Sequence, residues 1–105
     1  MATSYRFEIS PAAKADCEVV HDEIARDRPR VAAKWMRGFH AKLRLIKRFP
    51  YMYEVIPEAF DLGVECRHAP FKSHRIIYTV IDRQVLIMRV IHAHRILRQE
   101  MLEDS

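Results

Sequence analysis

At 105 residues and a net charge of +4, the chain has room for one domain with a single core and too little length for two. Half of its residues are hydrophobic, which excludes disorder over most of its length. No apolar run approaches the roughly 20 residues of a membrane span, and the opening Met-Ala-Thr-Ser-Tyr-Arg lacks the apolar stretch of a secretory signal.

A cytoplasmic protein without membrane contact is therefore expected. Cys17 and Cys66 lie far apart and match no metal-ligand spacing, so two reduced thiols, no metal and no cofactor are expected as well.

Tyr5 to Ile9 alternates apolar and polar residues, as a half-buried strand does. Ser10-Pro11 then supplies a capping hydroxyl and a proline at the first helical position, which starts a helix. Ala13, Cys17, Val20 and Ile24 recur at steps of three and four and carry that helix to about Ala25, where Asp27-Arg28-Pro29 breaks it. A second helix starts at Pro29 with Ala32, Trp35, Phe39, Leu43 and Ile46 as its buried stripe. It ends before Pro50, because a residue preceding proline avoids helical angles. Gly38 costs about 1 kcal/mol against alanine inside a helix, and it is read here as a close approach to the first helix.

Opposite the stripe, Arg30, Lys34, Arg37, Arg44 and Arg48 form a basic ridge with a gap at Ala41. Between Arg28 and Tyr53 the chain carries eight basic residues and no acidic one, which leaves −4 on the remainder. So one-sided a segment suits an anionic partner, nucleic acid or an acidic protein segment; the alternative is a solvated helix face.

Tyr51 to Gly63 reads as an ordered loop, and Val64 to His68 as a strand that ends before Pro70. From His74 to His92, two runs rich in Ile, Val, Tyr and Thr flank Asp82-Arg83-Gln84, the pattern of a β-hairpin. A three-residue loop would set Ile81 opposite Val85 and Ile77 opposite Arg89. One face would then carry Ile76, Tyr78, Val80, Leu86, Met88 and Val90, with His92 at its edge, and the other Arg75, Ile77, Thr79, Ile81, Val85, Ile87, Arg89 and Ile91. The arginine face is apolar enough either to lie against more of this chain or to await a partner. Residues 95–105 read as a flexible tail of the single domain, with a short helical segment from Ile96 to Leu102. The order β-α-α-β-β-β predicts an α+β domain, its helical hairpin packed on one face of a small, mostly antiparallel sheet.

With that order, the chain resembles the RelE/ParE toxin superfamily of bacterial type II toxin-antitoxin systems. The resemblance rests on Ile9-Ser10-Pro11-Ala12-Ala13 before the first helix, Arg67 on the second strand, Arg75-Ile76-Ile77-Tyr78, the valine-rich last strand and the closing His92-Ala93-His94-Arg95. It spans roughly Tyr5 to Arg95. It implies a toxin that arrests growth when free and is neutralised by a cognate antitoxin wrapped around it, with operator DNA reached only through the antitoxin.

Two mechanisms exist in the superfamily. RelE-like members cut messenger RNA in the ribosomal decoding site, and ParE-like members poison DNA gyrase. RNA cleavage needs a base for the 2′-hydroxyl, a cation for the phosphorane and an acid for the leaving oxygen. Arg67, Arg75, Arg89, His92 and Arg95 are the candidates for that role, with His68 or His94 as further proton carriers. The chain lacks the C-terminal tyrosine and the second-strand lysines of several such nucleases, and only Lys72 lies nearby. The His92-to-Arg95 spelling looks more like the ParE and plasmid-stabilisation branch. A ParE-like gyrase poison is therefore favoured over the nuclease, and both over a non-toxic scaffold that only binds an antitoxin. For binding the target or the antitoxin, the candidates are Arg30, Lys34, Arg37, Arg44, Arg48, Arg75, Arg89 and His94. The paired arginines Arg75 and Arg89 are expected to grip a phosphate or a carboxylate.

Overall fold

A computed structural model describes residues 5–63 and 65–103. Val64, read from the sequence as the start of the second strand, and the last two residues of the tail lie outside them. In chain order the elements are β1 (Arg6–Ile9), α1 (Pro11–Ala25), α2 (Pro29–Arg48), the short α3 (Ala59–Leu62), β2 (Arg67–Phe71), β3 (His74–Ile81) and β4 (Gln84–His92), then a 3-10 turn at Gln99–Met101. The sheet runs β1-β4-β3-β2, with β1 parallel to β4 and the other pairs antiparallel. This is the expected α+β arrangement.

Helix α1 begins where its capping residue requires. Ser10 Oγ accepts the Ala13 N–H at 3.0 Å and donates to the Met88 carbonyl at 2.8 Å, tying the helix start to β4. The stripe of α2 is buried at all five positions. Trp35 stacks on Phe39 at 5.5 Å, and the Phe71 ring on β2 meets Trp35 edge-on at 5.3 Å. Gly38 does mark a close approach, but to β2: a Cβ there would lie 3.2 Å from the Phe71 ring. Tyr78 is fully buried under the helices, and its hydroxyl donates to the Pro50 carbonyl at 2.6 Å.

Strand β2 runs through Pro70 to Phe71, three residues past the expected end at His68. It is an edge strand, so the N–H that proline lacks costs no ladder bond. The hairpin departs from the expected register at its tip. Asp82-Arg83 is a two-residue turn with Asp82 at φ 55°, and Val80 rather than Ile81 lies opposite Val85. Met88 is then left without a partner as a β-bulge, after which Ile77 does face Arg89. The two-residue turn puts Val85 and Ile87 under the helices with Tyr78 and Ile76, in place of Leu86 and Met88, and the bulge then brings Val90 rather than Arg89 onto that face.

The second face of the sheet is covered by the chain itself. Ile77, Ile91 and Cys66 pack there with Ile56 from the loop before α3 and Leu97 from the tail. The tail thus contributes Leu97, 2 % exposed, to this second core. Cys17 and Cys66 are free and buried, one in each core. Burial first, and then neighbouring carboxylates, push their thiols up to about 12 and about 11.

Ser10→Ala removes both bonds of the cap and strands the Met88 carbonyl at the bulge. It should cost about 1–2 kcal/mol, read as a lower urea midpoint at unchanged slope.

Candidate functional site

The sequence singles out arginines on β2, β3 and β4, and the structure gives each a different role. Arg75, the second residue of the inner strand β3, is 7 % exposed. Its guanidinium forks onto Glu58, with Nη1 3.4 Å from Oε1 and Nη2 on Oε2. Nη2 also donates to the Arg95 carbonyl at 2.7 Å, and Nη1 lies 3.1 Å from His68 Nδ1. A guanidinium only donates, so His68 Nδ1 accepts, and its Nε2 carries the hydrogen towards Glu54 Oε1 at 3.3 Å. Glu58 in turn accepts the Leu97 N–H at 2.8 Å. Arg75 and Glu58 therefore join β3, the segment before α3 and the tail at one point.

Burial alone would push the Glu58 carboxyl up. The bonds from Arg75 and the Leu97 N–H outweigh it and hold the group at about 2, below its ordinary 4.5.

Arg89 forks onto Asp16 of α1, Nε to Oδ2 at 2.7 Å and Nη2 to Oδ1 at 2.8 Å, and its Nη1 donates to the Met101 carbonyl at 2.8 Å. Asp16 Oδ2 also accepts the Val90 N–H at 2.9 Å, just past the bulge. The Asp16 bonds raise the guanidinium's pKa above its ordinary value, against the opposing effect of burial. Arg75 and Arg89 are thus diagonal neighbours on paired strands whose forks close on two different internal carboxylates. Arg67 donates to the Tyr53 carbonyl at 2.6 Å, lies 3.6 Å from Glu65 and stacks over the Tyr51 ring at 5.1 Å.

His92, His94 and Arg95 are exposed at the far end of β4. The His92 ring lies 5.5 Å from both His94 and His74, so the end of the hairpin carries three imidazoles. His74 is not singled out by the sequence. Desolvation, with His92 beside it, lowers its pKa, and its buried Nδ1 finds no partner among the described residues. No group of three or more His, Cys, Asp or Glu side chains is placed to hold a metal ion among the described residues.

On α2, Arg30, Lys34, Arg37, Arg44 and Arg48 are all exposed, and none forms an ion pair among the described residues. Asp16 and Glu58 are the partners the sequence reading missed. Asp16 had a signal, a carboxylate three residues after Ala13 and beside Cys17 on the buried stripe; Glu58, in a loop after Pro57, had none.

Glu58→Gln leaves a buried guanidinium unpaired and should cost about 3 kcal/mol at pH 7, measured by urea unfolding. The depressed carboxyl contributes stability fully above pH 4.5 and loses it as pH falls towards about 2. The gap between wild type and variant should therefore narrow over that window, and a second change, Arg75→Met, should recover most of the loss at pH 7.

The profile of the ParE toxin of type II toxin-antitoxin system, parDE, matches residues 7–97. No curated protein matches the chain. Among solved structures, a chain of the chromosomal ParDE TA system from P. aeruginosa superposes with a TM-score of 0.69 at 12 % identity, over 87 % of this chain and 98 % of that one. At that identity the likeness is one of fold, whereas the profile spans nearly the whole domain. The chain belongs to the ParE toxin family of type II toxin-antitoxin systems, within the RelE/ParE superfamily.

Proposed function

We propose that this ParE-family toxin arrests growth by gripping DNA gyrase, that a cognate antitoxin neutralises it, and that it breaks no bonds of its own. The observation that carries this reading is the engagement of Arg75 and Arg89 with Glu58 and Asp16. A cation that stabilises a phosphorane must aim open donors at the place where charge develops. Here both forks are already closed on carboxylates, and freeing either one leaves a buried carboxylate unpaired.

What remains for a partner is surface. The basic ridge of α2, exposed along its length, supports an acidic protein partner by sign of charge. The antitoxin fits the same reading, since a disordered acidic segment that folds onto a basic surface is a common mode of inhibition. Operator DNA is reached through the antitoxin, and the cytoplasm is where gyrase and both partners would meet.

The test is supercoiling and cleavage by gyrase with the purified protein at several concentrations. Inhibition with accumulation of cleaved DNA is the expected result. No effect on gyrase, from folded protein that arrests growth in cells, would overturn it and favour cleavage of messenger RNA on the ribosome. Protein that leaves both growth and gyrase untouched would favour the scaffold.

A further inference from the structure

The chain between α2 and β2 leaves aromatic side chains in water although its backbone is held. The Pro50 carbonyl accepts the hydroxyl of buried Tyr78 at 2.6 Å, and the Tyr53 carbonyl accepts Arg67 Nη1 at 2.6 Å. The Met52 N–H closes a turn onto the Phe49 carbonyl at 3.1 Å, and the His68 N–H reaches the Glu54 carbonyl at 3.2 Å. Among these anchors Phe49 is 47 % exposed, Tyr51 55 % and Met52 52 %. A loosely held loop exposes such side chains in passing. One anchored this way presents them at fixed positions, which lowers what a ligand must order on binding.

Each ring in this region carries a cation. Arg48 lies over Phe49 at 5.3 Å, Arg67 over Tyr51 at 5.1 Å and Lys42 over Tyr53 at 5.4 Å. From the hairpin tip, Arg83 lies over Tyr5 at 5.7 Å. Tyr5 and Tyr51 meet edge-on at 6.5 Å, so Arg83, Tyr5, Tyr51 and Arg67 form one continuous row drawn from distant parts of the chain. Lys42 is engaged by the Tyr53 hydroxyl at 3.2 Å, and Arg67 by Glu65 at 3.6 Å. Of the other carboxylates nearby, Glu54 lies on His68, and Asp82 stands exposed in the hairpin turn. Lys47, Arg48 and Arg83 are exposed, and none of them forms an ion pair among the described residues.

We infer that this surface is a platform for a short stretch of single-stranded DNA. Its bases stack on Phe49 and Tyr51 and on the guanidinium groups laid over them, and its phosphates meet Lys47, Arg48 and Arg83. The occupant follows from the alternation of rings and free cations, because a single strand offers flat apolar faces and negative charges in turn. A duplex keeps its base faces inside its own stack, so it would use the cations and leave the rings wet. An acidic peptide supplies the charges and few flat faces. Stacking and phosphate contacts make the platform tolerant of sequence. The inference rests on the proposed function only for the source of the strand, the DNA that gyrase cuts.

The test uses the full chain and a fluorescein-labelled oligothymidine of about ten nucleotides, with binding followed by anisotropy at low salt. Affinity should fall with salt at a logarithmic slope of about −2, the release expected from about three neutralised phosphates. Phe49→Leu with Tyr51→Leu, both exposed and outside the cores, should weaken binding by about tenfold at an unchanged slope, whereas Tyr51→Phe should bind as wild type. Arg48→Gln with Arg83→Gln should flatten the slope instead. An oligouridine should bind within about threefold of the DNA, because stacking and phosphate contacts are common to both, and a tenfold preference for it would overturn DNA as the occupant. No binding, equal competition by a duplex of the same length or by polyglutamate, or full affinity in the double leucine variant would overturn the inference. Supercoiling by gyrase is scored separately, so a protein that spares gyrase and still binds the strand would remove the gyrase reading and leave this one standing.

Discussion

The extra residue at Met88 moves the alternation of β4 by one position, and both cores depend on that shift. Without it, Val85 and Ile87 under the helices would be followed on the same face by Arg89, and a guanidinium would enter the core built around Tyr78 and Phe39. With it, Val90 takes that place and Arg89 shares a face with Ile77. A bulge leaves ladder groups unpaired, and α1 supplies what they need: the Ser10 hydroxyl for the Met88 carbonyl, and the Asp16 carboxylate for the Val90 N–H. The start of α1 and the irregular part of β4 thus complete each other.

The same helix settles the charge of Arg89, as the segment before α3 settles that of Arg75. Each arginine gives one donor to a backbone carbonyl of the last residues, Arg95 for Arg75 and Met101 for Arg89. The second face of the sheet is therefore closed by polar bonds at its rim and by Leu97, Ile56 and Ile91 inside it. A buried ion pair is weak as a source of stability, but it fixes which segment lies where, and here it sets the path of the chain after β4. Charge that would otherwise face outwards from the sheet is consumed internally, and the excess of positive charge remains on α2.

Both helices were legible in the sequence because Ser10-Pro11, Pro29 and Pro50 punctuate them and their stripes keep a helical step. The strands were legible as β-rich runs, but their details were not. Nothing local in Leu86-Ile87-Met88-Arg89 marks one residue as extra; the bulge follows from the need to keep Arg89 out of one core and from bonds to residues more than seventy positions away. Pro70 looked like a strand end because its tolerance depends on β2 being an edge, a property of the assembled sheet. The arginines stood out as charges on apolar runs, yet their partners Asp16 and Glu58 are fixed by tertiary contacts. The burial of Leu97 was not legible for the same reason: Ile96, Leu97, Met101 and Leu102 are all apolar, and which of them is buried depends on a surface formed elsewhere.

The two cysteines lie in different compartments of the molecule, Cys17 in the helix-side core, where it lines a pocket between α1 and α2, and Cys66 beneath the loop before α3 and the tail. Cys66 is fully enclosed and its thiol is held protonated, so it reacts with an alkylating reagent only once that compartment opens, whereas Cys17 lines the pocket between the helices and is slowed chiefly by its raised thiol. The rate of modification at Cys66 therefore acts as an internal clock for the peeling of the C-terminal segment, with no foreign label introduced.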